Sequence, residues 1–239
     1  MGHHLPGLLR GRGTDHPAGA AHPHQRTGRL HPSHPGSCAL DSTSGCTHRS
    51  HPPPAHSGRC SCSGTHYVLL GLVVRQVTGH SCAAEAERRV IAPPGLTGTS
   101  FPWPDRSLPS PHGRAYGSDV TELDPRVAGA AGEPVTPPAD PDRFHAALLG
   151  DRLPPSRRLR EMLGTRAAHG SYGMGLFPVK PPCGTTVWGH NGRMPGSCVR
   201  GAATADGRRV LTFRVDTDAI ADPHLEPALL AAEFCPRTW

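Results

Sequence analysis

The chain has 239 residues, 25 Lys and Arg against 19 Asp and Glu, a formal net charge of +6, and an apolar content of 36% with 5% aromatic. That length accommodates one domain with a substantial core, and no apolar run reaches the roughly 20 residues of a membrane-spanning helix, so no such helix is expected. The opening Met1-Gly2-His3-His4-Leu5-Pro6 lacks the apolar centre of a secretory signal, which leaves the compartment unknown.

Residues 1–60 form a region of their own. No Phe, Trp or Tyr precedes Tyr67, and the only acids before it are Asp15 and Asp41, among many His, Pro, Gly, Arg and Ser. Such a stretch buries too little apolar surface to offset its ordering entropy, so disorder or degeneracy is the expectation, with the folded part spanning 61–239. Its composition also resembles a GC-rich gene read out of frame. Its basic charge suits nonspecific contact with nucleic acid, but it has neither aromatic platforms for bases nor a binding motif, so no specific nucleic-acid partner is assigned. Cys38, Cys46, His48 and His51 supply thiolates and imidazoles of the kind zinc prefers, at a spacing that matches no closed site, and no metal site is assigned. Eight cysteines at 38, 46, 60, 62, 82, 183, 198 and 235 include no Cys-x-x-Cys pair, and their pairing is not legible from spacing.

Beyond residue 60 the elements become readable. Val68, Leu69, Leu72, Val73 and Val77 fall near helical spacing and Gly79 follows as a stop, which predicts a buried helix over 67–77. A second helix is expected over 81–90, exposed through Glu85, Glu87, Arg88 and Arg89 and ended by Pro93-Pro94-Gly95. Residues 97–138, rich in Pro, Gly, Ser and Thr, read as a long loop. A helix over 141–149 follows, with Asp140 as its cap and Phe144, Leu148 and Leu149 inward, then a shorter one over 156–163. Strands are expected at 172–177, 185–190, 198–204 and 209–216, the last two joined by Ala205-Asp206-Gly207-Arg208, because Asp-Gly between apolar runs is a strong hairpin signal. A helix over 225–234 closes the chain.

The chemistry-bearing stretch is Trp188-Gly189-His190-Asn191-Gly192, where strand formers alternate with glycines that admit a close ligand or backbone. Together with Thr65 to Val74, Val90 to Phe101, Ala128 to Glu133, Asp142-Arg143-Phe144 and Tyr172-Gly173-Met174-Gly175-Leu176, in this order and spacing, it resembles the serine beta-lactamase and D-alanyl-D-alanine carboxypeptidase group, in its class C-like branch. The resemblance implies an α+β fold: an antiparallel sheet flanked by helices plus a helical lobe, incomplete at the N-terminus. It also implies acyl-enzyme chemistry with a D-alanyl peptide, a beta-lactam or a small ester as ligand and with no cofactor, in relatives that work outside the cytoplasmic membrane. With strands from before the nucleophile lacking a counterpart, an open sheet edge would invite self-association.

Of the three site motifs in that group, the chain keeps the third, as His190-Asn191-Gly192, which the resemblance makes the substrate-binding strand. Where the Tyr-x-Asn motif is expected the chain reads Cys62-Ser63-Gly64, so Cys62 replaces the phenol and Gly64 the amide. The Ser-x-x-Lys motif is absent: the only lysine is Lys180, set among prolines. A serine hydroxyl needs a neighbouring base, and removing one member of a catalytic set costs about as much as removing the set. No catalytic residue is therefore assignable, and Ser63, Ser171 and Ser197 lack any partner arrangement that would make them nucleophiles. Three functions follow as expectations. The first is a serine-hydrolase relative that is truncated and impaired, the second a noncatalytic protein that binds peptidoglycan peptides or beta-lactams, and the third a basic, His-rich metal or nucleic-acid binder.

Overall fold

The computed structural model of the chain describes residues 63–102, 108–116, 128–217 and 220–236, all within one unit, Ser33–Trp239. The region 1–60, with Cys38, Cys46, His48 and His51, and Cys62 lie outside the described residues.

Helix α1 (Gly64–Thr78) ends at Gly79, whose φ of 77° supplies the left-handed C-cap and whose N–H donates to the Arg75 carbonyl. The helix forms where its apolar spacing predicts, but the expectation that it is buried is wrong: none of its residues is buried, and Leu69, Leu70, Leu72, Val73 and Val77 are more than half exposed. Apolar residues around a whole helix signal a partner on every side, and the described residues cover one side alone, where Ala130 sits against Gly71.

Helix α2 (Cys82–Ala86) starts at Ser81, whose side chain accepts the Ala84 N–H, and runs on as one wider turn over Glu87–Ile91. Glu85, expected at the surface, is 6% exposed. It is drawn in because Arg88, Arg89 and His80 all reach its carboxylate, and Arg89 foremost holds that carboxyl down at about 2.

Among the described residues of the segment after α2, Ser100 bridges Val135 and a 3-10 turn spans Gly129–Ala131. Helix α3 (Ala139–Leu149) begins two residues before the expected start, with Pro138 at the cap position. Asp140 is therefore not the cap. It is buried in the first turn, where it accepts the Gly98 N–H at 2.9 Å, the Thr99 hydroxyl at 2.9 Å and Arg143 Nη1 at 2.8 Å, tying the loop to the helix. Helix α4 (Ser156–Met162) follows.

The sheet has the order β1-β2-β3-β4 with every pair antiparallel: β1 (Phe177–Val179), β2 (Val187–Met194), β3 (Ser197–Thr204) and β4 (Val210–Val215). The first strand starts five residues later than expected, because a turn closed by the Gly173 N–H on the Leu176 carbonyl occupies 173–176. The second extends past His190 to Met194 and turns at Pro195-Gly196. The hairpin at Asp206-Gly207 forms as predicted, with Ala203 opposite Val210. Leu148, Leu149, Leu159 and Leu176 pack on Ala203 and Trp188, whereas Leu230 and Phe234 of α5 (Leu225–Phe234) pack on Val187 and Ala202. The sheet is thus sandwiched between α3 with α4 and α5, which is why β3 carries five buried residues in eight.

Cys183, in the loop before β2, is bonded to Cys235 at the end of α5, with 5.6 Å between their Cα atoms. Among the described residues Cys82 is a free thiol.

Candidate active site

The site is built where β1 stops. Strand β1 pairs only with Val187, Trp188 and Gly189 of β2, so from His190 onward β2 has β3 on one side and no strand neighbour among the described residues on the other. His190, Asn191 and Gly192, the three residues singled out from the sequence, begin this open edge.

His190 is held from three directions. Its Nδ1 bonds the Asn191 carbonyl, and a carbonyl only accepts, so the proton resides on Nδ1. Nε2 is then the acceptor and takes the Tyr172 hydroxyl at 2.9 Å; the Tyr172 oxygen in turn accepts from Tyr67 of α1 at 3.0 Å. The outcome is an ordered chain of two phenols ending on an imidazole. Phe177 and Tyr172 pack edge-on to the ring at 5.5 and 5.8 Å, and the Arg200 guanidinium lies 4.5 Å over Phe177.

Tyr172 and Tyr67 were both inside segments that carry the family resemblance, yet neither was assigned a role. Nothing in the sequence marks them as neighbours, 105 residues apart. His145 was also missed. It is buried on α3, and its ring lies against Gly201, the cross-strand partner of His190, so closely that a Cβ at 201 would stand 2.4 Å from Cε1. Only glycine permits that approach.

Burial pushes both imidazoles below the ordinary histidine range, against the opposing pull of their backbone hydrogen bonds, and Arg200 adds to the depression in each. Both are neutral at pH 7. A histidine whose folded pKa is depressed stabilises the fold fully above its unfolded value near 6.5, and that contribution is lost as pH falls toward the lower folded value, because the unfolded chain then binds more protons. Thermal stability should accordingly decline between about pH 7 and pH 5, and NMR titration should show both rings still neutral at 6.5. A melting temperature flat over this interval would contradict the assignment.

The other residues weighed from the sequence lie beside this centre or apart from it. Gly64 is the first residue of α1, and Ser63 precedes it without capping the helix through its side chain. Ser171 Oγ donates to the Ala168 carbonyl at 2.6 Å, and Ser197 Oγ accepts from Arg214 at 2.9 Å, at the far end of the β2–β3 hairpin. Lys180 is exposed, three residues past Phe177 and so roughly 10 Å along the strand direction from the aromatic cluster. Among the described residues no group of three or more His, Cys, Asp or Glu side chains is placed to hold a metal ion, and no helix is long and apolar enough to cross a membrane.

An antiparallel sheet between helical layers, with an imidazole and phenols at the head of an inner strand, defines the serine-hydrolase fold of the penicillin-binding type. The chain belongs to the beta-lactamase family, whose model matches residues 25–218. Among solved structures, a D-stereospecific amidohydrolase from Streptomyces sp. is 33% identical, with a TM-score of 0.69 over 79% of this chain and 59% of its own. The D-amino acid amidase from Ochrobactrum anthropi SV3, complexed with D-phenylalanine, is 26% identical, with a TM-score of 0.62 over 72% of this chain and 61% of its own. A penicillin binding protein from Bacillus halodurans, 19% identical, shares the fold with a TM-score of 0.60 over 76% of this chain and 56% of its own. The chain therefore spans less than two thirds of the length of each.

Proposed function

We propose that the chain is a ligand-recognising member of this family that holds D-aminoacyl amides, D-alanyl peptides or beta-lactams along the open edge of β2 and is impaired in acyl transfer. The observation that carries this reading is the Tyr67–Tyr172–His190 chain at the point where β1 ends, with no lysine beside it. An extended ligand laid against His190 to Gly192 would find backbone donors and acceptors in strand geometry, the arrangement by which peptides add to a sheet edge. D-amino-acid ligands are favoured because the neighbours at 33% and 26% identity are named a D-stereospecific amidohydrolase and a D-amino acid amidase.

The chemistry is weaker than the recognition. The two phenols can pass a proton toward Nε2, and a neutral imidazole there can accept it, but a hydrolase also needs a hydroxyl at the head of the relay. Ser171 and Ser197 are engaged elsewhere, and the lysine that activates serine in intact relatives has no counterpart within reach. Binding without durable acylation is the consequence.

A fluorescent penicillin and titration calorimetry with D-phenylalanine amide test this directly. The expected result is reversible binding without a covalent band on a denaturing gel, weakened roughly tenfold in Tyr172→Phe through loss of one hydrogen bond to His190. A stable covalent adduct would overturn the impairment, and failure to bind either compound would overturn the recognition.

A further inference from the structure

We propose that His145 is a positioning residue for His190, whose imidazole it fixes across the sheet through Gly201. The inference rests on the reading above, in which His190 heads the ligand edge of β2. Residues directly opposite each other in an antiparallel pair share one face of the sheet, so His190 and Gly201 both look toward α3, as Trp188 and Ala203 do two positions earlier in β2. A side chain at 201 would be the neighbour that packs beside His190. Glycine leaves that space empty, and the His145 ring of α3 fills it: Cε1 points at Gly201, and Nδ1 and Nε2 each lie 3.2 Å from where a Cβ would stand. An imidazole from another layer thus takes the place of the cross-strand side chain that His190 lacks.

Both sides of this contact are held. His145 is buried, its Nδ1 donates to the Pro141 carbonyl at 2.8 Å, and Phe144 packs edge-on at 5.3 Å. From the opposite face, the Gly201 carbonyl accepts Arg200 Nη1 at 2.7 Å, and Arg200 is anchored by Glu226 of α5. Gly189, just before His190, brings β2 so close that a side chain there would overlap the Gly201 carbonyl. Two helical layers therefore bear on the one residue opposite His190, and in a close-packed interior a displacement there is passed on to the ring. The support also keeps its form when the site changes charge. Burial holds His145 below the ordinary histidine range against the pull of its Pro141 bond; Arg200 adds to the depression, Asp142 opposes it, and a proton on His190 deepens it. A proton passed along Tyr67 and Tyr172 to His190 thus leaves His145 neutral and still bonded to Pro141.

Imidazole nitrogen NMR on the ligand-free full chain, with calorimetry against D-phenylalanine amide, tests the role. His145→Asn keeps a donor for the Pro141 carbonyl but removes the ring corner on Gly201, whereas Gly201→Ala keeps the ring and drives a methyl group into it. Each should leave the far-ultraviolet circular dichroism unchanged and replace the single Nδ1–H tautomer of His190 by averaged nitrogen shifts. Each should also weaken binding roughly tenfold, the size of one misplaced hydrogen bond. In the double variant the methyl enters the space the ring vacates, so both readouts should return most of the way to wild type, a non-additivity that residues in contact show. Variants that lose melting temperature while the His190 nitrogen shifts stay at their wild-type values overturn the proposal, and so do losses that simply add in the double variant. Should Gly201→Ala fail to fold, His145→Asn decides by the same shifts. A wild type that binds no D-phenylalanine amide refutes the recognition reading, and the shifts in ligand-free protein still decide the positioning.

Discussion

Replacing Glu226 by alanine should destabilise the protein by about 3–5 kcal/mol, enough to unfold a marginal domain at ambient temperature. Arg200 is 0% exposed in the middle of β3, and Glu226 at the start of α5 is its counter-ion, with Nε to Oε1 at 3.0 Å. Its Nη1 donates to the Gly201 carbonyl at 2.7 Å, and the guanidinium lies over the face of Phe177. Removing the carboxylate takes the counter-ion Glu226 from a buried guanidinium, whereas replacing both partners by apolar residues of similar volume removes the charge itself. The double variant Arg200→Met, Glu226→Leu should therefore recover most of the loss. Urea denaturation of the single and double variants decides it: equal destabilisation in both would show that the pair acts through packing and not through charge. Because the same guanidinium also lies over Phe177, which packs on His190, the single variant should weaken ligand binding at temperatures where it remains folded.

Loss of the Cys183–Cys235 bond should have an effect of comparable size. The bond spans 52 residues of sequence and encloses the whole of β2, β3 and β4. Closing a loop of that length in the unfolded chain corresponds to about 4 kcal/mol in the chain-entropy account. The double variant Cys183→Ser, Cys235→Ser should lower the urea midpoint to match, and a reducing agent should lower the wild-type midpoint to the same value while leaving the variant unaffected. A reducing agent that leaves the wild-type midpoint unchanged would show that the bond does not contribute. α5 is tied to the sheet as well through Leu230 and Phe234, through Leu225 against Cys198 and Ile220, and through the Glu226–Arg200 and Glu233–Arg209 ion pairs, so the bond adds to contacts that already hold it.

Elements with a local cause were legible. The 3.6-residue spacing after Tyr67, Gly79 as a stop, the Asp-Gly hairpin and the apolar stripe of Leu225 to Phe234 each specify their conformation within a few neighbouring residues, and α1, the β3–β4 hairpin and α5 formed accordingly. The His190-Asn191-Gly192 strand was recognisable for the same reason. Three things were not. Burial of Glu85 came from cations that fold back on it over one helical turn, in a segment whose charge count alone reads as solvent-facing. Asp140 has the chemistry of a cap, but its carboxylate serves a loop 42 residues away. The exposure of α1 was misread because periodicity reports that a helix has an apolar face, not whether anything in the chain covers it.

The amino-acid order by itself determined the family, the strand that carries His190 and the presence of Lys180 as its single lysine, because each of these is a matter of residue identity at short range. Only the tertiary structure brought Tyr67 and Tyr172 onto His190, laid His145 on Gly201, paired Cys183 with Cys235 and placed Arg200 against Glu226. These contacts join positions 18 to 105 residues apart. Such pairings are selected by how the helices pack on the two faces of the sheet, and no local pattern encodes that packing.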